Sequence, residues 1–366
     1  MDVIFPFGFP APTAFYLVLF AITLSIYMVF MHYVIAGSLV LLGRAIRGIA
    51  GLPPRTIVAD IVRDWLPAIL GLAITTGIAP LLFLQILYKR QFYTANLLLF
   101  HRFMLLLPAL IVAYYMLYLL KMKRRQLQGA GDLMAASIVC ACFAYTASAW
   151  TENHLLSLNS AGWEAQYESG RWFYRSWEFA PRLIYWVAAS FPTLAIVLAW
   201  QIHWGRRMDQ AVEITTAARR LRAMALDGLA VAALAAIIWL IFLERPWQSA
   251  MISALGMPYL TLATLGVIVQ GLAWWKVRTE ADLTTSRLLL ISAGAGAQIV
   301  GTVVVREVRR LQSIDLSSLY ETHRQASQVG GMGVFLTFFA INAALIVGCV
   351  ILVARGLAAK QKQPVG

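Results

Sequence analysis

Long apolar stretches, separated by short polar or charged segments, recur along the whole chain. Each can cross a bilayer, which takes about 20 apolar residues in a helix. Because backbone N–H and C=O groups cannot stay unpaired in lipid, and the alternating pattern of a membrane barrel is absent, helices are predicted. The pattern predicts an all-α polytopic membrane helix bundle, a single transmembrane domain over residues 1–366 whose nine transmembrane helices lie at about 13–43, 66–88, 98–120, 131–151, 181–203, 225–243, 250–275, 284–305 and 333–354.

Composition and charge support this fold class. Of the residues, 60% are hydrophobic and only 13% are charged, whereas soluble domains contain about 25% charged residues. The formal net charge of +13 would suggest nucleic-acid binding in a soluble protein. Here most Lys and Arg residues fall in the loops that follow odd-numbered spans, as the positive-inside rule describes. The charge therefore predicts an outer N-terminus and an inner C-terminus, and no nucleic-acid partner is expected.

Two predicted outer segments are long enough to contain structure of their own. Residues 152–182 are rich in Trp, Tyr and Phe among charged side chains. Such a composition is typical of a membrane interface and also of protein interfaces. A short surface helix is expected there, which anchors the chain to lipid or docks a partner. Residues 306–331 are polar and are expected to form a loop with one short helix.

Signals of covalent processing are few. The cysteine positions indicate no disulfide framework, and no CxxCH sequence is present for covalent attachment of a c-type heme. The first residues lack a positively charged segment, so no removable signal peptide is expected.

His32 is an ionisable side chain near the middle of the first span. Such residues are rare in lipid and usually have a functional reason. His32 could ligate a heme iron, relay protons, or donate a hydrogen bond to a neighbouring helix. Ala36, Gly37 and Ser38, one turn further on, would let a flat macrocycle or another backbone approach closely. Met28, one turn earlier, could add a soft contact or a weak second ligand.

Glu307 lies among three arginines, Arg306, Arg309 and Arg310, at the predicted outer end of span eight. Such a group is normally an interfacial salt-bridge cluster, and surface pairs contribute little stability. The same group would suit a heme, because the carboxylate can bind iron while arginines pair with propionates. Spacing alone favours the salt-bridge interpretation.

The other histidines are weaker candidates. His101 begins span three beside Arg102 and is expected to be interfacial, with a heme or propionate contact as the alternative. His154 is expected to be solvated in the outer segment. His203, at the inner end of span five, and His323, in the second outer segment, have no predicted role.

With these residues in view, the chain resembles the large subunit of cytochrome bd-type oxidases. It is more similar to a bacterial group of bd-like membrane proteins that accompany c-type cytochromes. The resemblance rests on the helix layout, His32, the Glu-x-x-Arg at Glu307, and the sequence GIAPLLFLQILY at residues 77–88 with the aromatic runs at 92–94 and 113–115. It extends over spans one to eight and is strongest in the first three.

The resemblance implies site residues and departures from them. It implies that His32 is the axial ligand of one heme, that Glu307 ligates a neighbouring heme b, and that Arg310 matches the arginine that follows that ligand. Tyr185 stands where the group has a histidine that ligates the low-spin heme. Residues 244–250 are too few to form the long quinol-binding loop of bd oxidases, and Leu311-Gln312-Ser313 replaces the residues that follow the Glu-x-x-Arg.

Depth separates the two candidate ligands. His32 lies roughly 18 Å along the helix from Arg44, at 1.5 Å per residue, whereas Glu307 is predicted at the outer surface. One heme cannot easily use both residues, so two hemes or none are expected.

Two functions follow from these observations. The first is a subunit of a bacterial inner-membrane respiratory electron-transfer complex, with a reduced heme set, other membrane subunits and periplasmic c-type cytochromes as partners. The second is a cofactor-free membrane scaffold that anchors those cytochromes. A complete quinol oxidase is not expected. A transporter is also disfavoured, because the spans supply almost no acidic residues near the midplane.

Overall fold

The computed structural model is helical throughout the part that it describes. The described residues are 5–52, 57–122, 129–204, 211–329, 333, 334, 336–341, 344, 345, 348 and 351, with only the backbone described for 211–216. No strand occurs within these ranges. The helices run in chain order as α1 (Ala11–Ile49), α2 (Ile57–Leu87), α3 (Lys89–Leu98), α4 (Phe100–Met104), α5 (Leu106–Met122), α6 (Ala130–Leu158), α7 (Trp163–Ser169), α8 (Phe179–Trp204), α9 (Ala211–Phe242), α10 (Arg245–Met251), α11 (Met257–Trp275), α12 (Thr285–Gln312) and α13 (Leu316–Gln328).

Eight helical segments are long and apolar enough to span a membrane: α1, α2, α4 with α5, α6, α8, α9, α11 and α12. They correspond to the first eight predicted spans. The chain is therefore a multi-pass helical membrane protein. The predicted ninth span, 333–354, falls on a stretch where only some residues are described. The count of nine and the orientation stay predictions.

Several helix boundaries differ from the predicted spans. α2 begins at Ile57 rather than at 66, and α9 begins at Ala211 rather than at 225. α6 continues to Leu158 and α12 to Gln312, beyond the predicted ends at 151 and 305. Hydropathy placed those ends too early because polar residues follow, but these side chains are paired inside the protein, as described below. Residues 245–251 form the separate helix α10 rather than a loop that joins span seven.

The chain divides into two compact units, residues 1–315 and 316–366. In the first unit, α1 packs along α2 and also contacts α6, α8 and α12. Its central position places the middle of α1 against the apolar core, which includes Tyr33, Val34, Leu66 and Leu194. α8 packs on α9 and α5 on α6.

Glycines allow α11 and α12 to approach closely. A Cβ added at Gly266 would lie 2.5 Å from both the Gln298 amide nitrogen and the Gly294 carbonyl oxygen. Two buried glutamines join the same helices, because Gln270 Nε2 donates to Gln298 Oε1 at 2.7 Å. Small residues at such positions are typical of helix contacts in membranes.

The second unit begins with α13, the short helix that was predicted within 306–331. On its exposed face Glu321 accepts hydrogen bonds from Arg324 and Gln325. Likewise, α7 is the short helix expected within residues 152–182.

Candidate functional site

A group of buried and half-buried charged side chains lies where the last turns of α6 and α12 meet the start of α8. α12 supplies four of these residues, α6 supplies one, and the other two come from the first turn of α8 and the position before it. We call this group the arginine cluster, and it consists of Arg182, Arg306, Arg309, Arg310, Glu178, Glu307 and His154.

Arg310 is the centre of one half of the cluster. Its Nη1 donates to both carboxylate oxygens of Glu307, at 3.1 and 3.3 Å. Its Nη2 lies 2.7 Å from Nδ1 of His154, and the guanidinium lies over the ring of Tyr88 at 4.7 Å. Glu307 is fully buried and Arg310 nearly so. The predicted Glu307–Arg310 pair is therefore a contact in the structure.

This geometry fixes the tautomer of His154. A guanidinium has donors and no acceptor, so Nδ1 of His154 must accept from Arg310. The proton of the neutral ring is then on Nε2. That N–H is buried and has no hydrogen-bond partner among the described residues. His154 therefore presents a donor, and its lone pair is already used by Arg310.

Glu178 is the centre of the other half. Arg309 binds its carboxylate through both terminal nitrogens, with Nη2 donating at 2.5 Å. Arg182 Nε donates to it at 3.2 Å and Trp239 Nε1 at 2.8 Å. Trp247 covers the Arg309 guanidinium at 5.2 Å. One carboxylate is thus shared between two arginines.

These contacts change the acidity of Glu178. Burial alone would raise its pKa. The hydrogen bonds from Arg309 and Trp239, together with the charge of Arg182, outweigh burial and lower the pKa from 4.5 to about 2. Glu178 is therefore ionised throughout the physiological range.

Arg306 makes no ion pair with any described carboxylate. It lies within electrostatic range of Arg310 and Glu307, and its buried Nε has no hydrogen-bond partner among the described residues. The cluster therefore contains four guanidinium groups and two carboxylates, an excess of two positive charges.

A second buried ion pair, between Arg102 and Glu152, has no excess charge. Arg102 and Glu152 are both buried and lie 3.0 Å apart. Ser148 accepts a further bond from Arg102 at 2.7 Å, and the Tyr174 amide donates to Glu152 at 3.3 Å. Here one cation pairs with one anion, and further hydrogen bonds satisfy other polar atoms of the two side chains.

His32 lies near the middle of α1, apart from the arginine cluster. The side chain is 2% exposed, and its Nδ1 is 3.0 Å from the hydroxyl of Thr193 on α8. That hydroxyl donates to the Ala189 carbonyl at 3.4 Å, so it accepts from Nδ1–H. The lone pair of the neutral ring is then on Nε2, which is buried and has no partner among the described residues. Trp186 is an aromatic neighbour, with its ring centroid 6.0 Å from that of His32.

The small residues after His32 face another helix. A Cβ on Gly37 would lie 3.0 Å from the Leu66 side chain and 3.2 Å from that of Val62. The space beside Gly37 is therefore filled by α2, and Gly37 serves helix packing.

His101 is exposed and stacks on Trp172, with ring centroids 5.1 Å apart. Its predicted heme or propionate contact stays a prediction. The four candidate residues thus fall in three places: Glu307 and Arg310 lie together, while His32 and His101 lie elsewhere. Tyr185, which stands where the resemblance would put a histidine, bonds through its hydroxyl to that of Thr302 at 2.8 Å.

Glu307 is fully buried within the protein, and α12 continues for five residues beyond it; its predicted depth at the outer end of the span stays a prediction. One expectation about this region is wrong. His154 was expected to be solvated, but it is only 6% exposed, because α6 extends past it to Leu158. The signal that could have found His154 is the pair Leu155-Leu156, which makes a further turn of buried helix plausible after a polar Glu152-Asn153.

Among the residues that the structure describes, no group of three or more His, Cys, Asp or Glu side chains is arranged to hold a metal ion. A heme needs only one or two protein ligands. The buried Nε2 of His32 therefore fits the chemistry of an axial ligand.

No protein-family model, no curated protein and no solved structure matches this chain. Fold and site together define a multi-pass helical membrane protein with a histidine at mid-helix and a buried, positively charged cluster at the end of α12.

Proposed function

We propose that this chain is a membrane subunit of a bacterial respiratory electron-transfer complex, located in the inner membrane. In this role it would bind a single b-type heme through His32, together with other membrane subunits and periplasmic c-type cytochromes. One observation carries the proposal. The buried Nε2 of His32, near the middle of α1, has no hydrogen-bond partner among the described residues, while Nδ1–H donates to Thr193. Metal-ligating histidines usually have their other ring nitrogen oriented in this way.

The bound heme would supply one-electron transfer. The residues around His32 would orient this ligand and tune the reduction potential of the heme. Thr193 orients the imidazole, and burial among apolar side chains excludes water and lowers the dielectric constant, which tunes a heme potential. Leu66 fills the space beside Gly37, so a macrocycle would not lie against that residue.

A reduced heme set agrees with the remaining candidates. Both oxygens of Glu307 accept hydrogen bonds from Arg310. Glu307 is therefore a weaker candidate for a heme ligand than His32. The hydroxyls of Tyr185 and Thr302 are hydrogen-bonded to each other. Tyr185 stands where the resemblance implies a histidine ligand of the low-spin heme. These features favour an electron-transfer or supporting subunit over a complete oxidase.

A second candidate function is a cofactor-free scaffold that anchors cytochrome partners. A cleft of about 400 Å³ favours it, and this cleft is lined by Glu152, Phe173, Tyr174, Arg175, Ser176, Trp177 and Phe179. Trp172, Phe173 and Trp177 are exposed at or beside it. Exposed aromatic side chains with arginine are typical of protein interfaces.

Absorption spectroscopy of the isolated chain tests the heme proposal. We expect a Soret band and a pyridine hemochrome that reports one heme b per chain, and we expect both to disappear in His32→Ala. His203→Ala, which removes a histidine with no predicted role at the far end of α8, is the matched control and should keep the spectrum. Thr193→Val should weaken heme affinity by about 10- to 100-fold, because it removes the partner that orients the ligand.

A folded wild-type chain without a Soret band after expression with sufficient heme would exclude the heme and favour the scaffold. A Soret band that survives His32→Ala would show that another residue holds the iron.

A further inference from the structure

The arginine cluster has more buried positive charge than its own carboxylates neutralise. Arg182 and Arg309 share Glu178, and Arg310 pairs with Glu307. Arg306 has no carboxylate partner in the described part of the chain. Charges taken out of water without a counterion cost several kcal/mol each. We propose that this cluster binds an oxyanion of the phosphate class, either free phosphate or the phosphate of a lipid headgroup.

His154 gives independent support for an anion. The bond from Arg310 holds the proton of the neutral ring on Nε2, so a buried donor is left with no acceptor in the described protein. The charges of Arg182, Arg306, Arg309 and Arg310 all act on this histidine. An acceptor with negative charge would satisfy this N–H and the arginine excess together, whereas a cation would be repelled.

Arg306 is the residue that such an anion would meet first. It is half-buried, and it lies four residues before Arg310 on α12, so both side chains are on the same face of the helix. Two guanidinium groups on one face suit the multiple oxygens of phosphate, to which arginine donates bidentately.

The position along the helices also fits a headgroup. Arg306 lies six residues before the end of α12 at Gln312, and His154 lies four residues before the end of α6 at Leu158. At 1.5 Å per residue these distances are roughly 9 and 6 Å. A phosphate at the boundary between headgroups and hydrocarbon would reach this level.

Anion-dependent unfolding of the purified protein tests the proposal. The probes are sodium phosphate against sodium chloride at equal ionic strength in neutral detergent, and nanodiscs of phosphatidylcholine with or without cardiolipin. A ligand that binds only the folded state raises its unfolding temperature. We expect wild type to respond to phosphate, to cardiolipin or to both, and Arg306→Gln to bind the same probe at least about tenfold more weakly.

The matched control is Arg287→Gln, at the opposite end of α12, where Arg287 pairs with Asp282 at 3.1 Å. It removes one charge from the same helix and should leave the anion response intact. His154→Gln keeps an acceptor for Arg310 and a donor, so it should retain more of the response than His154→Leu. All variants are also measured in the His32→Ala background, so that the result is independent of any heme held by His32.

A response to phosphate in detergent that Arg306→Gln removes would identify a site for free oxyanions. A response to cardiolipin alone, removed by the same substitution, would identify a lipid site. If neither probe stabilises wild type, or if Arg306→Gln and Arg287→Gln respond equally, the proposal is wrong. Should Arg306→Gln fail to fold, Arg306→Lys replaces it, because it keeps the charge and loses the bidentate donor geometry.

Discussion

The Glu178→Gln variant is expected to lose about 3–5 kcal/mol of folding free energy, the usual cost of removing one partner from a buried ion pair. Among the residues that the structure describes, Glu178 is the one carboxylate that both Arg182 and Arg309 contact, and it also accepts from Trp239. Glutamine has nearly the same shape but no charge, so two guanidinium groups would be left without an anion. Unfolding monitored by tryptophan fluorescence in detergent measures the loss.

The effect should depend on pH in a defined direction. Because the folded-state pKa of Glu178 is lowered from 4.5 to about 2, its charge stabilises the protein fully above pH 4.5, the value for the unfolded chain. This contribution, roughly 3 kcal/mol from the size of the shift, is lost as pH falls from about 4 through 2. The difference between wild type and Glu178→Gln should therefore be constant near neutrality and shrink in acid.

Glu168→Gln serves as the control for Glu178→Gln. Glu168 is exposed on α7, so removing its charge should change stability by less than about 0.5 kcal/mol. Equal losses in the two variants, or a Glu178→Gln loss that does not shrink in acid, would contradict a role for the buried charge.

The eight spans in the described chain could be predicted from the sequence because lipid leaves the backbone no alternative to the helix. Hydropathy alone located them within a few residues at most boundaries. It failed where polar side chains continue a helix after the apolar run ends. Glu152 in α6 and Glu307 in α12 are examples, since each has a buried arginine partner.

The arginine cluster was visible in the sequence only in part. Four of its members are close neighbours along α12, and helical spacing places Arg310 on the same face as Arg306 and Glu307. Arg309 is the neighbour of Arg310 in sequence and therefore points to a different face of α12. It binds Glu178, which lies 131 positions earlier. Such a partner depends on how α8 packs against α12, so no local pattern could have indicated it.

His32 was also only partly predictable from the sequence. Its position in the middle of an apolar stretch was clear from the sequence. Its partner Thr193 lies 161 positions later on α8, and the tautomer follows only from that contact. The state of Nε2, on which the heme proposal depends, could therefore not be reached without the fold.

Gly266→Ala is expected to destabilise the protein by about 3 kcal/mol or more, because one added methyl group meets backbone atoms of another helix. The new Cβ would lie 2.5 Å from the Gln298 nitrogen and the Gly294 oxygen. Neither atom can move unless α12 shifts, and overpacking of this kind usually costs about 1–3 kcal/mol, occasionally more. The shift would also break the buried bond between Gln270 and Gln298, which adds to the loss.

Gly271→Ala on the same helix gives the sharpest comparison, because in the described part of the chain no atom of another helix lies within 4 Å of its added Cβ. There alanine should be neutral or stabilising by up to about 1 kcal/mol, the difference in helix propensity between the two residues. The two variants make the same chemical change five residues apart, and only Gly266→Ala should lower the unfolding temperature. Shifts of the same sign and size would mean that α11 and α12 do not pack at Gly266.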